Sequence, residues 1–137
     1  MKNKLIYENI GYVLLERFPE LQERAGKDDL KAEAPLAYPL FEILFKEFFF
    51  ELLETSRDNP LLSRIFSFLE EMSDSPDRDV TDLLGIAILE PLVFNRDRIR
   101  RAWKSMGEKT KNLARENAYS GGWQDNLPPG EATPNGH

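Results

Sequence analysis

The longest apolar stretch of the chain runs from Ala37 to Glu54 and carries its large side chains at helical spacing. On a helix, one broad stripe would consist of Phe41, Leu44, Phe45, Phe48 and Leu52. Leu40, Ile43 and Phe50 lie outside this stripe, so most of the circumference is apolar, which requires neighbours on at least two sides. Charged residues within the stretch exclude a membrane span. We therefore predict a central core helix.

Shorter amphipathic patterns precede this helix. A first helix is predicted from near Lys4, with apolar positions at Leu5, Ile6, Ile10, Val13, Leu14 and Phe18. Pro19 ends it, because the residue before a proline avoids helical geometry, and opens a short helix that Gly26 can close. Residues 27–35 are polar and predict a loop.

In the remainder of the chain, capping residues mark where helices begin, in two cases together with a proline. Asn59 followed by Pro60 opens a helix that fades at Met72, and Ser75-Pro76-Asp77 opens another that is expected to end near Pro91. Asn95 can cap a helix with the inner face Ile99, Ala102, Trp103 and Met106. A last helix is predicted from Glu108 to about Ala118, anchored by Leu113 and Tyr119.

No segment alternates apolar and polar residues over a useful length, so the predicted fold class is all-α. We expect five to six helices, packed as antiparallel helical hairpins around the Phe-rich central helix. The hairpin 61–89 resembles a HEAT-type repeat unit, whose faces must be covered by neighbours. Residues 1–119 are predicted to form a single helical domain. Residues 120–137 contain four glycines and three prolines, which predicts a disordered tail.

Composition excludes most familiar catalytic chemistry. The chain has no cysteine, and its only histidine is His137, the last residue. Without an ordered His or Cys, nucleophile–base pairs cannot be assembled, and the carboxylates are expected to be solvated. We therefore expect no enzymatic activity, no cofactor and no metal site. The N-terminus lacks a signal-peptide pattern, which favours a cytoplasmic location without membrane association.

Charge is unevenly distributed and suggests where a partner binds. The formal net charge is −6, and it divides into −9 for residues 1–94, +5 for residues 95–119 and −2 for residues 120–137. The acidic edge that we predict as the partner-binding surface consists of Glu70, Glu71, Asp74, Asp77, Asp79 and Asp82. The basic segment 95–119 could contact phosphates, but the acidic remainder would repel nucleic acid. Glu90, flanked by apolar residues, is expected to be exposed or paired with a base such as Arg98 or Arg101, and structural pairing is favoured over a binding role.

Three short motifs indicate a family. FPEL (Phe18–Leu21), PLAYPLFE (Pro35–Glu42) and KSMGEKTK (Lys104–Lys111) together resemble a family of small, all-helical, poorly characterised bacterial proteins. Some of its members look like immunity proteins encoded beside toxin genes. The resemblance implies no cofactor and no active site. Our leading hypothesis is an immunity protein that neutralises a basic toxin domain through its acidic surface. The alternative is a scaffold or regulatory module that docks a cellular protein or peptide. Oligomeric state is not readable from the sequence.

Overall fold

The computed structural model describes residues 5–24, 36–55 and 60–132, and this part of the chain is all-helical with no strand. Its seven helices, against the five to six expected, are α1 (Ile10–Arg17), α2 (Pro19–Arg24), α3 (Ala37–Pro39, Leu40–Phe45 and Lys46–Thr55, continuous), α4 (Pro60–Ser73), α5 (Arg78–Leu84, Gly85–Leu89 and Glu90–Phe94, continuous), α6 (Arg96–Trp103) and α7 (Glu108–Gly121). The prediction of an all-α fold is confirmed. Within the described ranges, no helix combines the length and the apolar character that crossing a membrane requires.

The core is built around α3, as the apolar stretch predicts. Phe41, Phe45 and Phe49 on this helix are completely buried. The Phe45 ring meets Phe68 of α4 edge-on, with 6.1 Å between ring centroids, and lies 5.7 Å from Phe18. Edge-to-face aromatic pairs of this kind add to the free energy gained by burial. Phe45 therefore joins the first helices of the chain to α4.

Helix α5 extends beyond the end that its proline predicts. The sequence places the end near Pro91, but the helix continues to Phe94. The five residues Gly85–Leu89 before the proline form a π-helical segment, in which the Glu90 N–H donates to the Gly85 carbonyl. Proline lacks an N–H and crowds the carbonyl four residues earlier, and a widened turn at that place relieves both problems. The prediction of a helix end near Pro91 is therefore wrong.

Side-chain caps fix the starts of two helices: Asn95 caps α6 as the sequence predicts, whereas α5 begins at Arg78 after Asp77, two residues beyond the start that Ser75-Pro76 predicts. The Asp77 carboxylate accepts a hydrogen bond from the Asp79 N–H at 3.0 Å, and the Asn95 side chain accepts one from the Arg98 N–H at 3.0 Å. Each interaction satisfies a backbone donor that the helix leaves unpaired. The predicted Asn59 cap, the Gly26 stop and the loop 27–35 lie outside the described residues.

The first helix begins later than predicted. It starts at Ile10 rather than near Lys4, and residues 5–9 instead form a turn that docks on the link before α5. The Tyr7 N–H donates to the Asp77 carboxylate at 2.8 Å, and the Ser75 hydroxyl donates to the Leu5 carbonyl at 2.5 Å. These tertiary hydrogen bonds replace the helical ones that the amphipathic spacing predicts.

Residues 122–132, called here the C-terminal strap, pack against α5, α6 and α7 where composition predicts a disordered tail. The Asn126 side-chain amide donates to the Val93 and Phe94 carbonyls at 3.0 and 3.1 Å, which caps the end of α5. Arg100 donates to the Asn126 and Leu127 carbonyls, and Leu127 is buried. A segment poor in apolar residues is thus held mainly through its backbone. Residues 133–137 lie outside the described part.

The last helix is anchored by smaller side chains than predicted. Its buried positions are Thr110, Ala114 and Ala118, whereas Leu113 is half-buried and Tyr119 is 60% exposed. Small side chains allow α7 to lie close to its neighbours, so alanines rather than Leu113 and Tyr119 define its inner face. Gly122, in the left-handed conformation with φ of 79°, ends the helix.

Candidate interaction surface

The predicted acidic edge does not form one continuous charged surface, because the fold uses four of its six carboxylates. Glu70 is the most involved of them. Its carboxylate accepts hydrogen bonds from the Lys109 N–H at 3.1 Å, the Thr110 N–H at 2.9 Å and the Thr110 hydroxyl at 2.7 Å. Burial alone would raise the pKa of Glu70, but these hydrogen bonds outweigh it and the pKa lies below its ordinary value. Glu70 is thus a cap for α7.

The next three carboxylates of the edge also have partners within the chain. Glu71 forms a bidentate ion pair with Arg17, with 2.6 and 3.1 Å between the paired atoms. Asp74 pairs with the Lys109 ammonium group. Asp77 is half-buried, caps its own helix and accepts from Tyr7, as described above. Charge counting could not reveal Arg17, Lys109 and Tyr7 as partners, because they lie 35 to 70 residues away in the chain.

Only Asp79 and Asp82 of the predicted edge are exposed. Their carboxylates make no ion pair or hydrogen bond within the described ranges. Residues spaced three or four apart lie on the same side of a helix. The residues that follow Asp79 and Asp82 at this spacing along α5 are all exposed. We call this line the α5 ridge: Asp79, Asp82, Ile86, Glu90 and Phe94. Ile86 is 52% exposed and Phe94 65% exposed, so the ridge combines three carboxylates with two large apolar side chains.

The start of α3 adjoins the acidic end of this ridge. Tyr38 is half-buried, with its ring centroid 6.4 Å from that of Tyr7. Burial raises the pKa of the Tyr38 phenol, and nearby Tyr7, Asp82, Asp79 and Glu42 raise it further. The three carboxylates therefore contribute to a locally negative field at the phenol. Exposed Ile43, next to Glu42, adds another apolar side chain on the adjoining turn of α3.

On its other side, the ridge borders a groove between α5 and α7 with a volume of about 580 Å³. The two helices approach closely at Gly85, whose carbonyl accepts a hydrogen bond from the Asn117 side chain at 3.3 Å. Asp82, Ile86 and Glu90 line the α5 side. The lining on the other side includes Leu113, Glu116 and Trp123. Sequence reasoning missed this groove because it depends on the packing of α7, whose inner face was misassigned.

Most basic side chains of the segment 95–119 contact other parts of the same chain. Arg98 pairs with Glu54 at 3.1 Å and lies over the Phe50 ring, with 4.2 Å between its guanidinium carbon and the ring centroid. Arg101 donates to the Leu53 and Glu54 carbonyls near the end of α3, where cations are favoured. Arg98 and Arg101 are thus engaged elsewhere, and Glu90 is exposed on the ridge.

Arg115 ties the strap to α7. Its guanidinium donates to the Glu131 carboxylate at 2.6 Å and to the Asn112 side chain at 2.7 Å. The same group lies 5.2 Å from the centroid of the Trp103 ring. Its hydrogen bond holds the pKa of Glu131 below the ordinary value. Among residues 5–24, 36–55 and 60–132, no three metal-ligating side chains come together to hold an ion.

A family model described as "Domain of unknown function (DUF7674)" matches residues 13–121. The chain belongs to this family. The DUF7674 region contains α2 to α7 and most of α1, so it includes the α5 ridge and all of the groove lining except Trp123. A family of unknown function agrees with the resemblance to a poorly characterised one. No curated protein and no solved structure matches the chain.

Proposed function

We propose that this protein is a non-catalytic binding protein that docks a basic partner protein on the α5 ridge. The observation that carries the proposal is the composition of that ridge. Asp79, Asp82 and Glu90 are exposed on the same line of α5 as two large apolar side chains. Apolar side chains in the centre of an interface contribute affinity, and surrounding charges contribute specificity and association rate.

The charge of the ridge favours a different protein over a second copy of this chain. Two ridges facing each other would bring like carboxylates together, which is destabilising. A basic surface would be attracted over about a Debye length, roughly 8 Å at physiological ionic strength. The partner is therefore expected to carry lysine or arginine around an apolar contact.

The resemblance to immunity-type proteins makes a toxin the partner class that we propose. Many toxin domains act on nucleic acids and are basic, which suits an acidic binding surface. In this proposal the protein occludes the toxin by covering its basic face. Of the six carboxylates that the sequence predicts as the partner-binding surface, the proposed surface keeps Asp79 and Asp82. It also includes Glu90, Ile86 and Phe94.

Co-expression tests this proposal. The reading frame directly upstream would be expressed with and without this protein, and growth would be measured. We expect growth to be restored by the wild-type protein and lost again with D79K/D82K. E23K/D97K is the matched control, because it changes the net charge by the same amount and both carboxylates are exposed on helices other than α5. A non-toxic upstream product that nevertheless binds would indicate a scaffold, and binding unaffected by D79K/D82K would overturn the ridge proposal.

A further inference from the structure

We infer that the groove between α5 and α7 receives a short basic segment of the partner protein. This inference rests on the proposed function and deepens it. The segment places one apolar side chain against Ile86, and its lysine or arginine groups reach Asp82, Glu90 and Glu116. The ridge provides the docking surface, and the groove selects the sequence of the segment that enters.

The arrangement of side chains along the groove carries the inference. Ile86 lies on the α5 side and half-buried Leu113 lies on the α7 side, and both contribute apolar lining. Exposed Asp82 and Glu90 lie one turn before and one turn after Ile86. Exposed Glu116 supplies a carboxylate from the opposite helix. An apolar contact with carboxylates on both sides suits an apolar residue with basic neighbours, whose aliphatic stems also contact Ile86.

Charge complementarity decides the class of occupant. Three carboxylates and one basic side chain, Arg78, are among the lining residues in the described part of the chain, which gives the groove a net charge of −2. An acidic peptide or a nucleic acid would be repelled, and so would the acidic ridge of a second copy. A basic segment is the occupant that this charge attracts.

The volume of the groove sets how many residues of that segment it can hold. One turn of a helix is about 5.4 Å long and about 11 Å wide with its side chains, and so occupies roughly 500 Å³. The groove, at about 580 Å³, therefore accommodates about three or four residues. One end is occupied by Trp123, whose ring packs edge-on against Phe94 with 5.3 Å between centroids. This indole is a natural reporter of occupancy.

The test uses the full chain and a defined probe. The probe is an acetylated and amidated tripeptide with the sequence arginine–leucine–arginine, titrated into the isotope-labelled protein and followed by amide and indole NMR shifts. We expect saturable shifts at Ile86, Leu113 and the Trp123 indole. The peptide glutamine–leucine–glutamine is expected to bind about four- to ninefold more weakly, since it loses two exposed ion pairs that contribute about two- to threefold each.

Matched variants distinguish the groove from general attraction to an acidic protein. D82N/E90Q/E116Q should weaken binding of the basic tripeptide about tenfold. E23Q/E47Q/D97N removes the same number of exposed carboxylates outside the groove and should leave binding within about twofold. I86A should weaken the binding of both peptides. Shifts confined to other surfaces, equal binding of the two peptides, equal effects of the two triple variants, or no saturable binding would each overturn the inference.

Failure of the inference is distinguishable from failure of the proposed function. Asp79 belongs to the ridge but does not line the groove. If D79K impairs binding of the whole partner while the peptide misses the groove, the groove inference falls and the proposed function stands. If D79K leaves partner binding unchanged, the ridge is not the docking surface, whatever the peptide does.

Discussion

The carboxylate of Glu70 lies directly against the backbone of Gly107, at the start of α7. A side chain on Gly107 would overlap this carboxylate, since all three nearest atoms to an added Cβ belong to Glu70. Gly107 offers no side-chain cap of its own, and Glu70 from α4 caps the helix instead. Glu70 of the predicted acidic edge therefore contacts the basic segment and stabilises the start of α7. This contact is one reason why the whole edge cannot serve as a partner-binding surface.

Replacing Gly107 by alanine should destabilise the protein by about 1–3 kcal/mol, because the methyl group displaces the Glu70 cap. Urea denaturation measures this change in the free energy of unfolding. G85A is the control, since its Cβ would meet only the Asn117 amide at an ordinary 3.5 Å. Equal effects of the two substitutions would contradict this role of Glu70.

Acidification should weaken the interaction between the Glu70 carboxylate and the start of α7. The pKa of Glu70 in the folded protein lies below 4.5, its ordinary value, because hydrogen bonds from Thr110 and Lys109 outweigh the effect of burial. Its contribution to stability is therefore fully present above about pH 4.5 and is lost as the pH falls through the folded pKa. The stability difference between wild type and E70Q, measured by denaturation at several pH values, should shrink below pH 4.5. A difference that stays constant would exclude this role of the charge.

Truncating Phe45 to alanine should cost about 3–5 kcal/mol, because the ring is completely buried and packs against the rings of Phe41, Phe68 and Phe18. That is a large fraction of the stability of a small domain. F94A, at an exposed ring, should cost far less. Thermal denaturation of the two variants compares them directly, and similar losses would mean that the core is centred elsewhere.

Truncation after Gly122 should lower the melting temperature. It removes the Asn126 cap of α5 and the buried Leu127 side chain, with an expected cost of about 2–4 kcal/mol, or roughly 8–16 °C. L127A should reproduce much of the loss, while D125A, at an exposed side chain, should have little effect. An unchanged melting temperature would instead support the prediction from composition that the tail is disordered.

The helices and the aromatic core were predictable because their signals are local. Asp77 and Asn95 cap helices through neighbours two or three residues away, and the phenylalanine spacing of α3 repeats within single turns. Glu70 and Asn126 were not predictable in their roles, because their partners lie 32 to 40 residues distant. Composition does not register the contacts of the strap, because they involve Arg100 and backbone carbonyls rather than apolar content.

The candidate surface was partly predictable because some of its signals are also local in the sequence. Asp79 and Asp82 were identified from charge alone, and helical spacing could have extended them to Ile86 and Glu90. The groove required knowing which face of α7 packs inward.

Docking of a basic partner on the α5 ridge is tested by the rate at which this protein associates with its partner, measured by stopped-flow mixing at increasing salt concentrations. If the α5 ridge receives a basic partner, the rate should fall steeply as salt rises, and D79K/D82K should lower it about tenfold at physiological salt. E23K/D97K, which changes the net charge by the same amount on other helices, should leave the rate nearly unchanged. A rate insensitive to salt and to D79K/D82K, but abolished by K104E in the basic segment, would contradict the account.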